Sequence, residues 1–186
     1  FGTGTCQSGR CAGGSPLADG TPCPDANPCN GLEVCAGGVC QAGSGPRPFS
    51  GASLVVKAQK SLVAGGTIQP VADIAPADRD AVSLTLDGAA GAIFSGTLSH
   101  PDSDPRWRRS RRSFHYVDPK GRTSGFSYLA MKSAGRSGGY RVGLRGKRMS
   151  LAAVGAGPLT SRLVVGDECF EAALVCSAVG HTVRCK

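Results

Sequence analysis

The sequence predicts a mainly β protein, a small disulfide-rich N-terminal module followed by an antiparallel β-sandwich or barrel-like domain. Three observations carry this. Gly and Pro together make up about 22% of the 186 residues, without any third-residue period, which argues for many turns. Short stretches alternate apolar and polar residues with period two, as half-buried strands do. Nine cysteines fall in two groups, Cys6, Cys11, Cys23, Cys29, Cys35 and Cys40 first, then Cys169, Cys176 and Cys185.

The first group defines the N-terminal module, residues 1–43. Cys6-Gln-Ser-Gly-Arg-Cys11 returns 29 residues later as Cys35-Ala-Gly-Gly-Val-Cys40, with Gly9 falling on Gly38. Such self-similarity marks a repeated unit. The second copy is preceded by Cys23 and Cys29, whose equivalents would fall at or before Phe1, so the module reads as one half repeat plus one full repeat. Residues 44–51, with two prolines among small residues, read as a linker.

Residues 52–186 read as the β domain. Val82, Leu84 and Leu86 alternate with Ser83, Thr85 and Asp87, and Tyr140, Val142 and Leu144 alternate with Arg141, Gly143 and Arg145. Gly88, Asp118-Pro-Lys-Gly121, Gly138-Gly139 and Gly155 to Pro158 break the run. Nine or ten strands are expected, enough for two packed sheets.

The cysteines also speak to compartment. Their spacing lacks the close pairs with nearby histidine of a zinc site, so all nine are expected in disulfides, and disulfides at this density belong to secreted or cell-surface proteins. The start without a charged-then-apolar leader reads as a signal peptide already removed. No apolar run is long enough for a membrane helix. At the C-terminal end Cys176 or Cys169 could bridge to Cys185, leaving one cysteine over for a partner chain, for the half repeat, or as a buried thiol.

Asp19-Gly-Thr-Pro-Cys23, Asn27-Pro-Cys29, Cys35 and Gly38-Val-Cys40 resemble the short Cys-rich repeats of secreted and surface proteins of myxobacteria and their relatives. The resemblance covers about a quarter of the chain and implies location and architecture, a stalk module, with no activity attached. The segment Phe114 to Phe126 resembles, more distantly, the Gly-rich β domain that accompanies such repeats.

Charge supplies the candidate site. Residues 105–148 hold 13 Lys and Arg against one acid, Asp118, in a chain whose net charge is +8. Within them Arg106, Trp107, Arg108, Arg109, Arg111 and Arg112 form a guanidinium cluster with one aromatic, suited to phosphate or sulfate through bidentate forks and to stacking on Trp107. Its target would be an acidic polysaccharide, lipopolysaccharide, extracellular DNA or an acidic face of a neighbouring subunit. The competing reading is a solvated outer sheet face, with Arg141 and Arg145 turned away from the core.

Enzyme readings find little footing. Gly135-Arg-Ser137-Gly-Gly139 lacks the partners of a nucleophile loop, and His100, His115 and His181 are scattered. Asp78, Asp80, Asp102 and Asp104 lack the Gly and Glu of a calcium loop and read as turn residues. No cofactor or metal is expected. The leading expectation is a non-catalytic extracellular structural protein, a self-associating subunit of a surface appendage, filament or matrix; the alternative is a polyanion-binding module using the Arg106–Arg112 cluster.

Overall fold

The computed structural model describes residues 5–7, 10–12, 18–23, 27, 29–31, 33–43, 45–71, 74–76, 80–99, 104–135 and 138–186, with side chains from residue 18 onward. Asp78, His100, Asp102, Arg136 and Ser137 lie outside the described residues. The chain divides into two compact units, Phe1–Pro46 and Arg47–Lys186. It is mainly β, and no helix among the described residues is long and apolar enough to cross a membrane.

In the first unit β1 (Thr5–Gln7), β2 (Arg10–Ala12), β3 (Val34–Ala36) and β4 (Val39–Gln41) form one sheet in the order β1-β2-β4-β3. The two hairpins repeat each other at the 29-residue offset: Cys6 faces Cys11 as Cys35 faces Cys40. They join through Arg10 opposite Val39, positions that are themselves 29 apart, so equivalent edges meet about a local two-fold. Gly37 and Gly38, both at positive φ, make the two-residue turn of the second hairpin.

The Asp19-Gly-Thr-Pro-Cys stretch clasps that hairpin. The Gly20 amide donates to the Cys35 carbonyl and the Cys35 amide to the Thr21 carbonyl, both at 2.8 Å. Asp19 accepts from the Gly37 amide at 2.8 Å, and Cys23 is bridged to Cys40. The amides of Gly20, Thr21 and Cys23 all donate to backbone carbonyls, which ties down a segment too small for a large apolar core.

The second unit contains β5 (Arg47–Pro48), β6 (Ser50–Lys57), β7 (Ser61–Ile68), β8 (Val82–Gly88), β9 (Gly91–Leu98), β10 (Trp107–Ser110), β11 (Ser113–Val117), β12 (Phe126–Ser133), β13 (Tyr140–Lys147), β14 (Gly157–Val165), β15 (Glu168–Val179) and β16 (Thr182–Cys185). Eleven of them form one continuous antiparallel path, β10-β11-β12-β13-β7-β6-β16-β15-β14-β8-β9, curled into a half-barrel, with β5 parallel beside β15. Of the two expected forms the barrel-like one is present and the two-sheet sandwich is not. The reason is β16: it pairs with β6 on one side and β15 on the other, joining what would otherwise be two sheets.

The alternation reads directly into burial. Val82, Leu84 and Leu86 face inward, as do Val142 and Leu144, and they pack with Leu54, Leu129, Leu163 and Phe170 inside the curl. The stretch expected as a linker carries strand from Arg47 onward. Arg47 and Pro48 pair with Phe170 and Glu171, and Phe49 is buried against Gly66, where an added Cβ would stand 2.5 Å from the Phe49 ring. An apolar ring at residue 49 gains more inside the curl than in a solvated linker.

Two further links brace the unit. Gln59, in the β6–β7 turn, donates to the Val154 carbonyl at 3.0 Å and accepts from the Val154 amide at 3.2 Å. Cys176 is bridged to Cys185, its direct partner in the β15–β16 register. Cys169 lies opposite Val164 at the other end of β15, which explains why Cys176 takes Cys185. Cys29 and Cys169 are also disulfide-bonded, so of the fates expected for the cysteine left over by the Cys176–Cys185 bridge, the buried thiol is ruled out.

Candidate polyanion-binding face

The predicted arginine cluster is divided by the fold. Arg106 turns into a partly buried joint: it donates from Nη2 to Asp104 at 2.6 Å, from Nη1 to Thr123 at 2.9 Å and to Asp118 at 3.3 Å, and lies over the Tyr116 ring. The hydrogen bond to Asp104, and the bond to Asp118 after it, raise the Arg106 pKa against the opposing effect of burial. Asp118, fully buried, would be pushed up by that burial; the amides of Arg122 and Lys120 and the charges of Arg122 and Arg106 hold it below its ordinary value instead. Arg106 therefore directs its guanidinium at partners within the chain, Asp104, Asp118 and Thr123.

Trp107 is corrected likewise. It is 7% exposed, faces inward at the start of β10 and packs on Tyr116 with ring centroids 5.3 Å apart, so it offers no stacking surface to a ligand. Alternation decides this: with Trp107 and Tyr116 paired on the core face, Arg108 and its partner His115 take the outer face. Arg109 lies over the Phe114 ring, and Arg111 and Arg112 stand exposed in the turn before β11.

Register then assembles a face that the linear run does not contain. Three cross-strand rows run over the outside of β11, β12, β13 and β7: Ser113, Lys132, Arg141 and Thr67; His115, Ala130, Gly143 and Gly65; Val117, Tyr128, Arg145 and Val63. Lys147 follows Arg145 on the same side of β13. Beyond His115 the middle row, Ala130, Gly143 and Gly65, is a floor of small residues between the rows that carry the cations. Arg145 lies over the Tyr128 ring at 5.7 Å, Tyr128 tilts against His115, and His115 Nε2 lies 2.9 Å from Ser113 Oγ.

The electrostatics of the face are one-sided. Among the described residues Arg108, Lys132, Arg141, Arg145 and Lys147 have no ion pair, while Arg162 on β14 is satisfied by Asp87 at 2.7 Å and Glu171 at 2.6 Å. Lys132 stands directly opposite Arg141, an arrangement that destabilises a sheet unless an anion offsets it. The face can hold acidic groups by charge-assisted hydrogen bonds and, at Tyr128, offers a half-exposed ring. Among the described residues no three His, Cys, Asp or Glu are gathered, so no set of metal ligands can be named.

Of the residues that matter here, Arg141 and Arg145 were legible as outward-facing from their alternation, and Arg108 from the cluster. Lys132, Tyr128, His115 and Lys147 were not, because only pairing across β11, β12 and β13 brings them together.

Fold and face together define a disulfide-bonded antiparallel β protein, a curled sheet with a basic, largely unpaired outer surface. The chain matches no protein-family model, no curated protein and no solved structure. The disulfides fit an oxidising, extracellular setting.

Proposed function

We propose that this chain is a non-catalytic module, secreted or carried on the cell surface, that holds an acidic polymer on the outer face of β11, β12, β13 and β7. The observation that carries this reading is the like-charged pair Lys132–Arg141, with Arg145 and Lys147 on the same face and, among the described residues, no acid paired with them. An anionic polysaccharide or extracellular nucleic acid would replace the counterions that such a face otherwise gathers. The basic run Arg108 to Arg112 borders the same end of the sheet and would extend the contact.

The test is retention on heparin and on single-stranded DNA over a range of salt. Binding should weaken steeply and linearly in log–log form as salt rises. A Lys132→Ser, Arg141→Ser, Arg145→Ser variant should lose most of it at an unchanged or higher melting temperature, since the like-charged pair is removed as well. Retention unaffected by that variant would overturn the reading.

A second reading, a self-associating subunit of a surface appendage or matrix, is favoured by the way the repeat hairpins join. Equivalent edges meet at Arg10 and Val39, and β1 and β3 form the outer strands of the four-stranded sheet, where a further hairpin from another copy could add. Sedimentation under oxidising conditions separates the two readings: mass rising with protein concentration supports assembly, and a constant monomer mass removes it.

A further inference from the structure

The half-barrel leaves a seam. Beside β9, an outer strand of the sheet, lies an open cleft of about 530 Å³, bounded by β9 at Ala92 to Ser95 and by the segments around Ser124 and Met149. That size falls within the range of small-molecule sites. Among the described residues the only ionisable side chains lining it are Arg122 and Arg148, joined by the hydroxyls of Ser95, Ser124 and Ser150, with Ile93, Phe94 and Met149 as apolar lining. It is a different surface from the outer face of β11, β12, β13 and β7.

Three observations single it out. First, Ser124 and Arg148 hold left-handed backbone, at φ 48° and 54°, a region that favours glycine. Neighbouring bonds hold the Arg148 segment there: the Lys147 amide donates to the Gly125 carbonyl at 2.8 Å and the Met149 amide to the Lys60 carbonyl at 3.0 Å. Disfavoured backbone kept in place by its surroundings is a recurring property of ligand sites.

Second, Arg122 is anchored without being consumed. Its Nε lies 3.4 Å from the buried Asp118 carboxylate, its side chain is 67% exposed, and among the described residues its two Nη groups have no partner. Arg148 has none either among those residues. Two guanidinium groups in one cleft, with no carboxylate lining it among the described residues, match an anion with several acceptor oxygens.

Third, the sheet edge is capped on both sides of one open position. The Ile93 carbonyl accepts from the Ala152 amide at 3.0 Å and the Thr97 carbonyl from Ser124 Oγ at 3.5 Å. Antiparallel alternation turns the N–H and C=O of the intervening Ser95 to the same side, into the cleft. One free backbone pair between two blocked ones suits a compact ligand and not an added strand.

We propose that this cleft binds a single anionic sugar residue, a hexose bearing a carboxylate or a sulfate, its charged group between Arg122 and Arg148 and its hydroxyls at Ser95, Ser124 and Ser150. The hydroxyls of Ser95 and Ser150 can donate to and accept from ring hydroxyls, Ser124 Oγ can accept, and half-buried Ile93 faces the apolar side of the ring. The inference does not rest on polymer binding at the outer face.

Calorimetric titration of the intact chain tests it, with glucuronate, glucose 6-sulfate, glucose and acetate as probes. At least one of the two anionic sugars should bind, and which one does identifies the charged group; glucose and acetate should each bind at least about tenfold more weakly, since each lacks half of the recognised chemistry. Arg148→Gly should abolish the preference for the anionic sugar at an unchanged or higher melting temperature, because glycine accepts the left-handed backbone. The Lys132→Ser, Arg141→Ser, Arg145→Ser variant should keep it. Failure of both anionic sugars to bind, acetate binding as tightly as glucuronate, displacement of the sugar by an acidic peptide at lower concentration, or undiminished binding by Arg148→Gly would each overturn the proposal.

Discussion

Arg106 and Asp118 lock the start of β10 to the turn after β11, with Nη1 3.3 Å from Oδ2 and the carboxylate completely enclosed. Asp118 is also tied to the Lys120 amide at 3.1 Å and the Arg122 amide at 3.0 Å, so one side chain organises the whole Asp118–Gly121 turn. Asp118→Asn and Arg106→Ala should each cost about 2–3 kcal/mol in urea unfolding, while Arg108→Ala, fully outside this joint, should change stability by less than about 0.5 kcal/mol. Equal effects of Arg106→Ala and Arg108→Ala would contradict this division of the cluster.

The same carboxylate sets an acid limit. Its folded pKa lies below the ordinary 3.8, so its contribution is complete above that value and disappears as pH falls through the lower folded value. Urea midpoints of wild type and Asp118→Asn should therefore differ most at neutral pH and converge in strong acid. A gap that persisted undiminished into strong acid would mean that the ionised form is not what stabilises the turn.

Trp107 is the single tryptophan, and it is in the core. Saturation with heparin should leave its emission maximum and its low acrylamide quenching unchanged. A shift on binding would return the tryptophan to the ligand surface.

The Cys176–Cys185 bridge closes a short loop across β15 and β16, the joint between the two parts of the sheet. Replacing both cysteines by serine should remove roughly 2–3 kcal/mol, the chain-entropy value for a loop of this length. Calorimetric melting under non-reducing conditions measures it.

Two glycines of neighbouring strands should behave differently. Gly66→Ala forces the added methyl against the Phe49 ring and should cost about 1–3 kcal/mol. Gly143→Ala meets nothing within 4 Å on the outer face, and should leave stability within about 0.5 kcal/mol. Melting temperatures of the two variants decide the matter.

Composition and local pattern determined much of this protein by themselves. Turn density and two-residue alternation define a β protein, because a strand facing a core must alternate. The 29-residue self-similarity appears as two hairpins of identical register, because each turn is written into its own few residues. The outward direction of Arg141 and Arg145 follows from the same alternation. The tertiary structure alone decided what depends on residues far apart in the chain. It put β16 between β6 and β15 and so made one curled sheet where the pattern equally allowed two. It turned Phe49 from linker into core, because Gly66 leaves room for its ring. It split a contiguous basic run, spending Arg106 on Asp104 and Asp118 and burying Trp107, since neither partner choice nor strand direction is encoded in the run itself. And it gathered Lys132, Arg141, Arg145 and Tyr128 on one face, because register, which a shift of one residue reverses, is settled only when strands pair.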